Sequence, residues 1–181
     1  MLTEEAQLID KVKAGDQDAF RELVALYRNK AFGLSYHIVG NVEDAKDILQ
    51  EAFIKAYKNV GRFRKGSSFY TWFCSILVNT ARDYLRKRVY QKGQLPQEIA
   101  DFHLNTERLV LADELKRLLD VAINQLAEKQ RLSFVMKHIN GMKINEIAQI
   151  LHCRPSTVKI HLFRAVRNLQ KKLSPYLTAK I

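Results

Sequence analysis

The chain has 181 residues, enough for one medium domain or two small ones, and 47% of them are hydrophobic, enough for packed cores. Its 30 lysines and arginines outnumber 19 acids and leave a formal charge of +11, so a polyanionic partner is expected. No run of about eighteen apolar residues occurs, which argues against a spanning helix.

The first residues, MLTEEAQLID, lack the basic-then-apolar order of a signal peptide. Cys74 and Cys153 make no disulfide or metal pattern, so a reducing cytoplasm is expected. Charge alternates along the chain: net −3 over residues 1–50, +8 over 51–92, −4 over 93–128 and +10 over 129–181. Two separated basic blocks suit two sites on one polyanion better than a single basic tail does.

In chain order, Asp16 or Asp18 can cap the first substantial helix, with Ala19, Phe20, Leu23, Val24, Tyr27, Ala31, Leu34 and Ile38 on its apolar face. Gly40-Asn41 stops that helix, and Asn41 caps the next, with Asp44 three residues on. That second helix, about 42–59, turns Ala45, Ile48, Leu49, Ala52, Phe53, Ala56 and Tyr57 inward. Glu43, Asp47, Gln50 and Glu51 are left wet, with Ile54 outside the stripe. Such a face is either a docking surface or an ordinary solvated one with acids favoured in the first turns.

Residues 61–68, GRFRKGSS, read as a loop. Ser67 or Ser68 then caps a third helix, on which Phe69, Trp72, Phe73, Ile76, Leu77, Ala81 and Leu85 keep helical spacing. Asn79, Arg82, Asp83 and Arg86 take other faces. Three such helices form a bundle at about 5–90. Phe63 and its neighbours set rings among cations, a composition suited to stacking unpaired bases. The alternative is a hydrophobic plug that closes the bundle.

Residues 91–105 lose periodicity and form a linker. A second helical domain, 106–175, begins near a Thr106 cap, with Leu111, Leu115, Leu118, Leu119 and Ala122 inward, followed by a helix at about 128–139. Next come a short helix through Ile144, Ile147, Ala148 and Leu151, the turn His152-Cys153-Arg154, and a basic helix opened by Pro155. Val158, Leu162, Val166, Leu169 and Leu173 make the basic helix's buried stripe, and residues from Ser174 onward are expected to fray. This is a helix-turn-helix layout. His152 sits where a turn needs positive φ. Ser156, Thr157, Lys159, His161 and Arg164 surround the half that enters a major groove.

Alternating strand patterns are absent, so the fold is expected to be all-α: two helical bundles joined by a linker. No phosphate-cradling glycine loop and no close His/Cys/acid ligand spacing occurs. Catalytic, metal and cofactor sites are therefore not expected, nor is a small-molecule substrate.

Three segments carry a family resemblance: EDAKDILQEAFIKAY at 43–57, FRKGSSFYTWFCSILVNTARDYLRKR at 63–88, and GMKINEIAQILHCRPSTVKIHLFRAVRNLQKKL at 141–173. In this order they resemble the extracytoplasmic-function (ECF) class of bacterial RNA polymerase sigma factors. The resemblance implies a factor that binds core RNA polymerase through its β′ coiled coil and also touches β. Such a factor recognises minus-ten and minus-thirty-five promoter elements and promotes strand opening. It would place Asp44, Asp47, Gln50 and Glu51 on the polymerase face. Phe63, Arg64, Lys65, Ser67, Ser68, Asn79, Arg82 and Arg86 would lie along the locally single-stranded minus-ten element, and Asp83 would orient its neighbours. Arg154, Ser156, Thr157, Lys159, His161 and Arg164 would meet the duplex minus-thirty-five element. An anti-sigma protein is a partner the resemblance admits, and membrane association would come only through it. His152, Ile160 and His161 depart from the residues common in this family. From the residues alone, a dimeric helix-turn-helix regulator is the main rival and a small nucleic-acid enzyme a third reading.

Overall fold

The computed structural model describes residues 2–64, 68–92 and 110–178, with side chains over 4–64, 68–88 and 117–176. The chain divides into two compact units, Met1–Gly93 and Gln94–Ile181, and all regular elements among the described residues are helical.

Among the described residues the first unit holds four α-helices rather than three. Helix α1, Leu2–Lys13, precedes the first expected helix and buries Ile9 and Val12. Helix α2, Gln17–Val39, opens on Asp16, whose Oδ1 accepts the N–H groups of Asp18 at 2.9 Å and Ala19 at 3.0 Å. It stops at Gly40, whose φ of 83° lies in the left-handed region and whose N–H donates to the Tyr36 carbonyl. The chain restarts at once. Asn41 Oδ1 accepts the Asp44 N–H at 2.8 Å and caps α3, Val42–Asn59.

A single 3₁₀ turn, Val60–Arg62, leads out of α3. Helix α4, Phe69–Lys92, is capped by Ser68, whose Oγ accepts the Thr71 N–H at 3.1 Å. It runs two residues into the expected linker, the rest of which lies outside the described residues. Leu23, Leu34, Ile48, Phe69, Phe73 and Leu77 are fully buried among the helices. Phe53 stacks on Phe73 at 4.4 Å, and Ser35 Oγ–H donates to the Ala45 carbonyl at 3.1 Å across α2 and α3.

In the second unit α5 spans Val110–Asn124, and the Thr106 cap lies outside the described residues. Leu119 is exposed, against expectation, whereas Ala122 and Ile123 are buried. The helix expected at 128–139 is α6, Glu128–Phe134, continued by a π-helical segment, Val135–Ile139. Arg131 ties these elements together by donating to the Asn124 carbonyl at 2.9 Å, where a cation meets the end of α5. Helix α7, Ile144–Ile150, and helix α8, Pro155–Thr178, complete the unit.

The buried stripe of α8 differs from the expected one. Val158, Ala165 and Leu169 are buried, while Val166 is exposed. Steps of four residues drift about 40° around a helix of 3.6 residues per turn, so Val166 rotates out and Ala165 rotates in. Ser174 to Thr178 are helical rather than frayed, with Pro175 inside the last turns.

Two glycines of the first unit predict opposite outcomes. No atom stands within 4 Å of a Cβ built on Gly33 or Gly40, so only the backbone decides. Gly33→Ala lies inside α2 and should raise stability by about 0.5–1 kcal/mol. Gly40→Ala must hold φ of 83° and should lower it by about 1–2 kcal/mol. Urea unfolding of the two variants checks the pair.

Candidate nucleic-acid interface and docking face

The interfaces are best built from helix faces. On α3 the apolar stripe turns Ala45, Ile48, Ala52 and Ala56 inward. The opposite face then carries Asp47, Gln50, Glu51 and Ile54, three and four residues apart and all exposed. Ile54 is 47% exposed in the middle of this acidic and amide face. Glu51 pairs with Lys55 at 2.7 Å, an exposed contact of small energetic weight. Beside this face, α2 and α3 enclose a groove of about 1030 Å³. Phe20, Val24, Phe32, Leu49 and Tyr57 line it, and Arg21, Arg28, Lys46 and Gln50 lie along its rim.

Asp44 is not part of the exposed face. Its carboxylate accepts the Tyr84 hydroxyl at 2.6 Å, an Arg88 N–H at 2.5 Å and the Asn41 amide at 2.6 Å. Being one turn nearer the N-terminus, it is rotated toward α4 and braces the two helices. Burial, then the bond to Asp44, pushes the Tyr84 phenol above its ordinary range.

On α4, Phe69, Phe73, Leu77 and Ala81 face the core. Asn79, Asp83 and Arg86 are exposed and Arg82 half-buried on the opposite face. Asp83 accepts from Arg86 at 2.7 Å, in keeping with an orienting carboxylate. Trp72 begins this face half-buried, with its ring 5.5 Å from those of Phe63 and Phe69. Phe63 itself is only 5% exposed. Lys13 Nζ donates to the Phe63 carbonyl at 2.9 Å and lies over its ring. The ring is thus the plug that closes the bundle rather than a free platform for a base. Arg64 and Ser68 are exposed, while Lys65 and Ser67 lie outside the described residues.

On the second unit, His152 takes φ of 50°, as the turn requires. Pro155 starts α8, and the Arg154 carbonyl accepts the N–H groups of Thr157 at 2.9 Å and Val158 at 3.2 Å. Arg154, Ser156, Lys159 and Arg164 are exposed, and Thr157 is half-buried at the edge. Ile160, Phe163 and Arg167, which sequence reasoning did not assign to the site, share the exposed side.

His161 departs from the expected set. Its Nδ1 is buried without a hydrogen-bond partner, and the ring leans toward the core side of α8. Burial, then the charges of Lys129 and Arg164, lowers its pKa below 6.5. The shift favours the neutral ring.

The described residues form two helical units with one exposed acidic face and two cationic ones, the second on a helix-turn-helix. The family comparisons agree. Residues 23–89 match Sigma-70 region 2, and residues 116–169 match Sigma-70, region 4. The RNA polymerase sigma-H factor of Pseudomonas aeruginosa is 37% identical over 190 aligned positions, covering 98% of each chain. The ECF RNA polymerase sigma-E factor of Escherichia coli K12 is 34% identical, covering 94% of each. Among solved structures, the sigma factor RpoE of Bartonella quintana, in complex with the anti-sigma factor NepR, shares the fold. Its TM-score is 0.74 at 23% identity, covering 86% of this chain and 96% of that one. CnrH, in complex with the cytosolic domain of CnrY, gives 0.70 at 21% identity, covering 98% and 99%. The chain belongs to the ECF RNA polymerase sigma factors, an alternative sigma factor that directs core RNA polymerase to promoter DNA. This membership removes the dimeric-regulator reading.

Two predictions follow from the placements of Asp44 and His161. Tyr84→Phe removes one hydrogen bond to the Asp44 carboxylate and should cost the first unit about 1 kcal/mol in urea unfolding. Asp44→Ala should cost more, since Arg88 loses its carboxylate as well. For His161 the folded state binds a proton less readily than the unfolded chain. Stability of the second unit therefore falls as pH drops below about 6.5, and levels off under the lowered folded pKa. Melting between pH 7.5 and 5 should show that fall, and His161→Gln should flatten it.

Proposed function

We propose that the exposed α3 face of Asp47, Gln50, Glu51 and Ile54 docks on the polymerase β′ coiled coil. The α2–α3 groove extends that surface, and β is touched elsewhere. Asp44 acts from within, as the brace that fixes α4 against the docking helix. Domain one, about 5–90, then holds the melted minus-ten strand. Arg64, Lys65, Ser67 and Ser68 contribute from the loop, and Asn79, Arg82 and Arg86 from α4. Phe63 supports this surface from inside the bundle. Residues 91–105 join it to domain two, 106–175, which docks on duplex minus-thirty-five DNA through Arg154, Ser156, Thr157, Lys159 and Arg164, with His161 behind them.

The observation that carries this reading is the separation of chemistry by helix face. An acidic face with one apolar residue occupies α3, and cationic faces occupy α4 and α8. In this reading the protein performs no covalent step itself. It shifts the melting equilibrium by binding the opened strand better than the paired one. The solved neighbours' anti-sigma partners support an anti-sigma protein for this chain too. No helix among the described residues is long and apolar enough to cross a membrane. We place the protein in the cytoplasm because the polymerase and promoter DNA it serves lie there, and at a membrane only through such a partner.

Reconstitution with core polymerase on fully paired and pre-melted promoter DNA tests the scheme. Asp47→Ala with Glu51→Ala should weaken polymerase binding about tenfold or more and leave helical content unchanged. Arg82→Ala with Arg86→Ala should leave polymerase affinity intact and lower open-complex yield on both templates. Wild-type affinity in the first pair would discard the docking face.

A further inference from the structure

The exposed side of α8 carries something that phosphate binding does not use. Ser156, Ile160, Phe163 and Arg167 follow one another at spacings of four, three and four, so they share one stripe. Ile160 is 49% exposed and Phe163 is 67% exposed. Lys159 and Arg164 lie exposed beside them, and the sequence from Ile147 to the end contains no acid. A lone exposed isoleucine on a protein surface is ordinary. Here it sits in the second turn of the helix that a helix-turn-helix lays in the major groove, between cations that suit phosphates. A β-branched residue is also a poorer helix former than the lysine or glutamine that solvent alone would favour.

When flanking cations engage the backbone, the stripe between them faces base edges. The only apolar group of any size on those edges is the C5-methyl of thymine, since cytosine offers no more than a C5–H beside its amino donor. An isoleucine set against any other edge would strip water from donors or acceptors and return no hydrogen bond. We infer that Ile160 reads a thymine methyl in the upstream promoter element and is a specificity-determining residue for this chain. This rests on the assignment of α8 to duplex DNA. Phe163, one turn on, widens the same apolar strip.

The test uses the full-length chain bound to core polymerase. Duplexes are selected from a pool randomised over the upstream block. The tightest is resynthesised with uracil at each thymine in turn, which keeps pairing and removes only the methyl. One replacement should weaken wild-type binding about fourfold, the effect of one buried carbon. Ile160→Ala, folded by circular dichroism, should bind the thymine and uracil duplexes alike, both near the weaker level. Three outcomes overturn the inference: no thymine is enriched, uracil costs nothing anywhere, or Ile160→Ala weakens both duplexes equally. The last would give the strip to a protein partner instead. Lys159→Ala and Arg164→Ala separate the underlying assignment. They should lose affinity on thymine and uracil duplexes alike, with a shallower salt dependence. If they do so while uracil is silent, only the thymine reading falls. If they lose nothing, the placement of α8 on DNA falls with it.

Discussion

A helix can bury only one stripe of its surface, and the rest must meet water or a partner. This constraint sets which faces the described helices leave exposed. On α3, burying Ala45, Ile48 and Ala52 leaves Asp47, Gln50, Glu51 and Ile54 outside. On α4, the inward set of Phe69, Phe73, Leu77 and Ala81 leaves Asn79, Asp83 and Arg86 outside. On α8, burial of Val158, Ala165 and Leu169 turns Lys159, Ile160 and Phe163 outward. The cores do not merely hold the domains together. They choose which residues are available for recognition.

The first unit adds a second requirement, that the exposed faces of α3 and α4 hold a fixed relation. Two kinds of contact supply it. Rings run without a break from Tyr57 through Phe20, Phe53 and Phe73 to Phe69 and Trp72, linking α2, α3 and α4. At the other end Asp44 collects donors from Tyr84 and Arg88 of α4. Dispersion fixes the spacing of the helices and the charged node fixes their rotation. The exposed face of α3 thereby has one fixed orientation relative to that of α4.

Much of this was legible in the residues. Asp16, Gly40-Asn41, Ser68 and Pro155 mark helix ends by local chemistry, and all four mark ends in the structure. The family followed from the order of three motifs. What stayed hidden was rotational or long-range. Asp44 and Asp47 look equivalent in sequence, yet only 60° or so around the helix separates a brace from a docking residue. Phe63 reads equally as plug or platform because a loop has no period to read. Its partner Lys13 lies 50 positions away on α1, whose short Leu8, Ile9 and Val12 stripe does not point to it. Val166 turns outward through less than one turn's drift.

The long final helix has one more property. Over its 24 residues, Pro155–Thr178, Lys159, Arg164, Arg167, Lys171 and Lys172 stand without a single carboxylate. Arg164 and Arg167, and Arg167 and Lys171, are like-charged neighbours three and four apart, each pair unfavourable by about 0.2–0.5 kcal/mol. The free domain thus holds itself together against its own electrostatic pressure. A polyanion laid along that helix would act as a counterion as well as a target, so part of its affinity would come from relieving that repulsion.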